Sequence, residues 1–101
     1  MNFDIKEYAG KNNPGKIKEC AGKIEPNRII WLLEYRGWTE VPLTVDYKRA
    51  FQLEQDGKFY QADVPIKKDL SDFDRAMLCA TEKLAETMHM TAGQIIWTLL
   101  A

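Results

Sequence analysis

The fold is decided by residues 50–63, AFQLEQDGKFYQAD, in which two alternating runs flank Asp56-Gly57. Asp-Gly in this position predicts a two-residue hairpin, because a type I′ turn requires positive φ at both central residues. Pairing across that turn sets Leu53 opposite Tyr60 and Phe51 opposite Ala62. In this register both strands place their apolar side chains on the same face of the sheet. A shift of the pairing by one residue would move the apolar side chains of one strand to the other face.

The predicted hairpin has one apolar face and one polar face. The apolar face carries Phe51, Leu53, Tyr60, Ala62 and Val64, and the polar face carries Gln52, Glu54, Phe59, Gln61 and Asp63. Phe59 is the exception on the polar side. Such a half-buried sheet needs a cover from elsewhere in the chain.

Two helices after the hairpin are predicted to provide that cover. Ser71 is the predicted N-cap of the first, because serine side chains accept hydrogen bonds from free amides at a helix start. Its apolar residues keep i, i+3, i+4, i+7 spacing within an arc of roughly 120°: Phe73, Ala76, Met77, Ala80, Leu84 and Met88. Thr91 and Gln94 form a capping box, which predicts a last helix from Ala92 toward Ala101.

A helix and a strand are predicted before the hairpin. Pro26 suits a first helical residue and Gly37 the residue past the end, so Asn27 to Arg36 is predicted as a helix. Its apolar side chains point nearly all round the axis. Trp38 to Val45 is a predicted strand, and Pro42 restricts it to a sheet edge because proline cannot donate to the ladder.

These elements predict a small single α+β domain over residues 1–101. A helix is followed by a three-stranded antiparallel meander, which two C-terminal helices cover. Residues 1–24 are rich in lysine and glycine and are predicted to be partly irregular. An extra N-terminal edge strand from Phe3, Ile5 and Ile17 is left as an open alternative.

Composition excludes several classes of protein. The net charge of −1 argues against bulk electrostatic capture of nucleic acid. Cys20 and Cys79 have neither zinc-type spacing nor the density of a disulfide framework, which favours a reducing compartment. The chain contains no apolar run near the roughly 20 residues of a membrane span and no signal-peptide pattern. We therefore expect a cytoplasmic protein with no membrane partner.

The sequence has few residues that could form a catalytic or metal site. Ser71 is the only serine and His89 the only histidine, and 18 residues of predicted helix separate them by roughly 27 Å. They cannot share the hydrogen bond that a nucleophilic pair requires. The sequence has no His pair, Cys pair or carboxylate run suited to a metal. We expect no enzyme, no metal and no cofactor.

One near-match to a nucleotide motif occurs in GKNNPGK, residues 10–16. It fits the phosphate-binding loop up to the last position, where Ile17 replaces the serine or threonine that binds magnesium. Pro14 also removes one backbone donor from the loop. These departures reject nucleotide binding.

A surplus of apolar side chains favours a protein-binding function. Trp31 and Tyr35 on the all-round apolar helix, Trp97 beside the apolar stripe of the last helix, and Phe59 are the candidate partner-binding residues. We predict a non-catalytic intracellular module that binds another protein or its own copy. Small bacterial accessory, immunity or antitoxin-type proteins match this description.

Nucleic-acid binding is the alternative function. Lys11, Lys16, Lys18 and Lys23 could contact phosphates, although neighbouring acids dilute their field. Residues 58–101 have the order strand, helix, short turn, helix, which resembles the ribbon-helix-helix repressors, where a strand from each of two chains lies in the major groove. In this chain the strand is already paired in its own hairpin, and the first helix is several residues longer.

Overall fold

The computed structural model describes residues 14–100. In chain order the elements are α1 (Pro14–Ala21), α2 (Pro26–Tyr35), β1 (Thr39–Val41), β2 (Lys48–Gln55), β3 (Lys58–Pro65), α3 (Phe73–Thr87) and α4 (Ala92–Leu100). The strands form one antiparallel sheet in the order β1-β2-β3. The predicted α+β class is confirmed, and α1 is a helix that the sequence analysis did not predict.

The hairpin has the predicted turn and register. Leu53 pairs with Tyr60 and Phe51 with Ala62. Asp56 and Gly57 both have positive φ, 54° and 76°, as a type I′ turn requires. The alternation of side chains therefore places the apolar face of the hairpin toward the helices.

The core lies between that apolar face and the helices. All four helices contribute buried side chains, and the main members of the core are Cys20, Ala21, Ile24, Ile29, Leu33, Phe51, Ala62, Val64, Met77, Ala80, Leu84, Ile95 and Ile96. Leu53 and Tyr60, nearest the hairpin turn, are only half-buried and pack against the edge of this cluster. The prediction that α3 covers the hairpin is confirmed.

The predicted strand from Trp38 to Val45 is too long. Only Thr39–Val41 pairs with β2, because Pro42 has no amide to donate and the chain leaves the ladder there. Leu43 and Val45 are consequently exposed in the following loop. Trp38 precedes the strand and is buried.

The predicted N-cap at Ser71 is also wrong. Asp72 occupies the N-cap position of α3 and makes no side-chain capping bond. The amide of Phe73 donates instead to the carbonyl of Leu70, at 3.2 Å, so a backbone turn leads into the helix. The capping box of α4 is confirmed by reciprocal bonds of 2.8 and 3.1 Å between Thr91 and Gln94.

The described part of the N-terminal segment begins at residue 14 with a helix that its composition does not predict. Residues 14–21 form α1, so the strand alternative is wrong for Ile17, and Phe3 and Ile5 lie outside the described residues. Cys20 and Ile24 are buried. One face of a lysine-rich helix therefore belongs to the core.

Helices α2 and α3 end in the same backbone motif. Gly37 follows α2 with φ of 92°, and the amide of Trp38 donates back to the carbonyl of Leu33 at 3.0 Å. His89 follows α3 with φ of 56°, and the next amide donates to the carbonyl of Ala85 at 3.0 Å. These are Schellman ends, which favour glycine at the left-handed position.

The two ends predict opposite effects of substitution. Gly37→Ala is expected to lower the free energy of unfolding by about 1 kcal/mol, and His89→Gly is expected to leave it unchanged or raise it slightly. An added Cβ at Gly37 meets nothing within 4 Å, so the effect is one of backbone conformation alone. Urea denaturation of both variants measures it, and a fully stable Gly37→Ala protein would contradict it.

Candidate protein-binding surface

The apolar residues of α2 divide between the core and the surface. Ile29, Ile30 and Leu33 are buried, whereas Trp31 is 61% exposed and Tyr35 is 71% exposed. Residues four positions apart are neighbours on a helix. The two rings accordingly stack, with centroids 5.2 Å apart and planes inclined by 14°.

An apolar groove lies beside this pair, between α2 and α4. It has a volume of about 380 Å³ and is lined by Asn27, Arg28, Trp31, Leu32, Thr98 and Leu99. Arg28 Nη1 donates to the carbonyl oxygen of Leu99 at 2.8 Å. That bond satisfies a carbonyl in the last turn of α4 and ties the two helices together at the groove. We call Trp31, Tyr35 and this groove the aromatic surface.

The other two candidate residues lie elsewhere. Trp97 is 44% exposed on α4, roughly 160° around the axis from Leu99, so it faces away from the groove. Phe59 is 64% exposed on the outer face of the sheet, opposite the helices. The structure therefore brings Trp31 and Tyr35 together and separates Trp97 and Phe59 from them.

Among the described lysines of the nucleic-acid alternative, Lys16 and Lys18 lie near acidic side chains. Lys16, Lys18 and Lys23 are exposed, Lys16 lies 3.8 Å from the carboxylate of Glu19, and Lys11 lies outside the described residues. A cavity of about 420 Å³ beside Lys18 is lined by charges of both signs, Lys68, Asp72, Asp74 and Arg75. Acids thus offset the positive field that phosphate contacts require.

Ion pairs join two pairs of charged residues on the sheet, Arg49 with Glu40 and Lys48 with Asp63. Arg49 donates two hydrogen bonds to Glu40, at 2.6 and 2.8 Å, and these bonds hold the pKa of the Glu40 carboxyl below its usual value. Partial burial raises the pKa of Asp63, but hydrogen bonds from Gln61 and Lys48 outweigh burial and lower it overall. A carboxylate held ionised in this way is a poor proton donor at neutral pH.

The described residues offer little for other chemistry. Residues 14–100 contain no group of three or more His, Cys, Asp or Glu side chains that could hold a metal ion. In the same range no helix combines the length and apolar character needed to cross a membrane. Ser71 precedes α3 and His89 follows it, so the helix separates them.

Sequence reasoning missed the groove and the contribution of Arg28. The bond from Arg28 to Leu99 joins residues 71 positions apart, and periodicity reports only on neighbours within one element. Comparisons with models of protein families, with curated proteins and with solved structures gave no match. Function is therefore inferred from the residues of this chain alone.

Proposed function

We propose that this chain is a non-catalytic module that binds another protein through the aromatic surface. The observation that carries this proposal is the exposed stack of Trp31 on Tyr35, in which Trp31 also lines an apolar groove. Trp, Tyr and Arg are enriched at interface hot spots, because each buries a large body and still offers a polar group. Arg28 supplies the third type in the same groove.

Preorganisation supports the same surface. Binding costs roughly 0.5 to 1.5 kcal/mol for each side chain that it immobilises. The stacking of Trp31 on Tyr35 restricts both rings before a partner arrives. The bond from Arg28 to Leu99 likewise restricts one wall of the groove.

The proposed partner is a protein, either a different chain or a second copy of this one. We place the binding event in the cytoplasm, which the free thiol of the exposed Cys79 supports, because such thiols are typical of reducing compartments. A small accessory, immunity or antitoxin-type role in bacteria is consistent with a binding protein of this size. The proposal includes no catalytic step, cofactor or metal.

The test compares a double variant on the aromatic surface with a single variant of an exposed apolar residue elsewhere. We expect the double variant Trp31→Ala, Tyr35→Ala to lose self-association in sedimentation velocity, or to lose the protein that co-purifies with wild type from its native host. Hot-spot truncations typically weaken binding by 2 kcal/mol or more, roughly thirtyfold. Leu43→Ala is the control and should keep the interaction, because Leu43 is exposed in the loop after β1 and does not line the aromatic surface.

Three results would contradict the proposal. The first is a wild-type protein that stays monomeric and retains no partner, and the second is an equal loss of the interaction in both variants. The third is micromolar, strongly salt-dependent binding to a random DNA duplex that disappears when Lys11, Lys16, Lys18 and Lys23 are all changed to Gln. That third result favours the nucleic-acid alternative, since released counterions make phosphate binding steeply salt-dependent.

A further inference from the structure

Within residues 14–100, strand β3 lies at an edge of the sheet and has backbone groups without partners. In an antiparallel hairpin, alternate residues exchange hydrogen bonds with the neighbouring strand and the others point away. Ile66 donates to the carbonyl of Tyr47 at 3.0 Å, which continues the bonded set of Lys58, Tyr60, Ala62 and Val64. The amides and carbonyls of Phe59, Gln61 and Asp63 therefore point outward. Within residues 14–100 they have no hydrogen-bond partner.

The opposite edge of the sheet, formed by β1, has fewer outward backbone groups than β3 among the described residues. β1 has three residues, and its register leaves Glu40 alone with outward backbone groups. Pro42 ends pairing just beyond, and the Glu40 side chain is held by Arg49. Short strands, proline and charge are the usual means of protecting an edge, and β3 has more open positions than β1.

A groove separates the open edge of β3 from α3. We call it the β3 groove, and its volume is about 480 Å³. Its two long walls are Gln61, Asp63 and Pro65 on β3 and Ala76, Cys79 and Lys83 on α3. The α3 wall is built largely of small side chains, which leaves room for an added chain. Helix α3 contacts the segment after α1 on its other flank, where Asp74 lies against Gly22. Asp74 is roughly 160° around the helix axis from Ala76 and therefore faces away from the groove.

Among the described residues, the acidic side chains of the β3 groove have bonding partners and one of its lysines has no ion pair. Asp63 is bonded to both Lys48 and Gln61, and Asp72 is bonded to Arg75. Lys83 makes no ion pair within the described part of the chain. Gln55, beside the hairpin turn, donates to the carbonyl of Thr87 at the end of α3, at 2.9 Å, so α3 runs antiparallel to β3. Lys83 therefore lies toward the hairpin end of the groove, and an acidic group there would be complementary.

We propose that the open edge of β3 binds an extended segment of a partner protein, which adds as a fourth strand between β3 and α3. Main-chain bonds to the outward groups of Phe59, Gln61 and Asp63 provide affinity, and alternate side chains provide specificity. The residue opposite Phe59 is apolar and covers that exposed ring. Residues facing α3 are small, with an acidic residue near Lys83. This site is separate from the aromatic surface and does not depend on it.

The test uses peptides selected from a display library of random octapeptides against the wild-type protein. Gln61→Pro removes an outward amide without removing a bond to β2, and edge strands tolerate proline. Gln61→Ala keeps the amide and removes only the side chain. We expect Gln61→Pro to bind the selected peptide roughly tenfold more weakly than Gln61→Ala, a difference that isolates the amide from the side chain.

The peptide backbone and the Cys79 thiol provide independent measurements. N-methylation of the peptide at alternate residues should abolish binding, and methylation of the intervening residues should not. Cys79 is exposed and Cys20 is buried, so a thiol reagent reports on the groove, with Cys79→Ser as the blank. Bound peptide should slow this reaction severalfold.

The charge of Lys83 is tested by substitution. Lys83→Glu should weaken the binding of acidic peptides, whereas Glu82→Lys, on the solvent side of α3, should leave their binding unchanged.

Several results would overturn this inference. They are a selection that yields no peptide of micromolar affinity, equal binding to the Pro and Ala variants at Gln61, or a Cys79 reaction that bound peptide leaves unchanged. Loss of folding in Gln61→Pro leaves the N-methylation and Cys79 measurements decisive. A free protein whose Cys79 is already unreactive would also overturn the inference, because the groove would then be filled without a partner.

Discussion

Leu84→Ala is expected to lower the free energy of unfolding by about 2 to 5 kcal/mol, the range for deleting a buried leucine. Leu84 is 0% exposed and lies on the face of α3 that covers the hairpin. The substitution leaves a cavity between α3 and the sheet, which a packed core fills only in part. Urea denaturation, monitored by tryptophan fluorescence, measures the change as a shift of the midpoint at an unchanged m value.

The control for Leu84 is Leu43→Ala. Leu43 is exposed in the loop after β1, so the same chemical change should alter stability by no more than about 0.5 kcal/mol. A similarly small loss at Leu84 would show that α3 does not cover the hairpin with this face. A larger loss at Leu43 would mean that the loop is buried.

Ile24→Ala is expected to cost about 2 to 5 kcal/mol as well. Ile24 follows α1 and is 0% exposed, and Cys20 and Ala21 before it are also buried. The lysine- and glycine-rich composition of residues 1–24 predicts the opposite, a solvated segment in which this change is silent. The substitution therefore separates what composition indicates from what the packing shows.

Lys23→Ala provides the comparison for Ile24. Lys23 is the adjacent residue and is exposed, so its truncation should change stability by about 0.5 kcal/mol or less. Equal and small losses at both positions would mean that the segment after α1 does not pack on the core. Fluorescence and far-UV circular dichroism should give the same midpoint if α1 unfolds together with the domain.

The proposed function rests on features that differ in how readily a sequence displays them. Trp31 and Tyr35 are visible as a pair because their spacing matches the helical repeat and Pro26 and Gly37 mark the helix. The groove beside them required the position of Leu99, which depends on how α4 docks. The open edge of β3 required the position of α3 relative to the sheet, which the alternation within β3 does not contain.

The mistaken predictions have a common physical cause. Ser71 is a good N-cap residue, yet a backbone turn from Leu70 to Phe73 starts α3. Val41, Leu43 and Val45 alternate like a strand, yet Pro42 ends the pairing. In both cases a local preference competed with another way of satisfying the backbone, and a preference worth about 1 kcal/mol did not decide between them.

The sequence by itself determined the elements whose information is local. The Asp56-Gly57 turn set the hairpin register, the i, i+4 period set α3, and the reciprocal bonds of Thr91 and Gln94 set the start of α4. Each depends on dihedral angles and contacts within a few residues. Tertiary structure alone decided that Ile24 is buried, that Trp31 and Tyr35 remain exposed, and that a groove remains beside β3. Those outcomes depend on which surfaces meet, because burial is a property of packed elements that lie far apart in the chain.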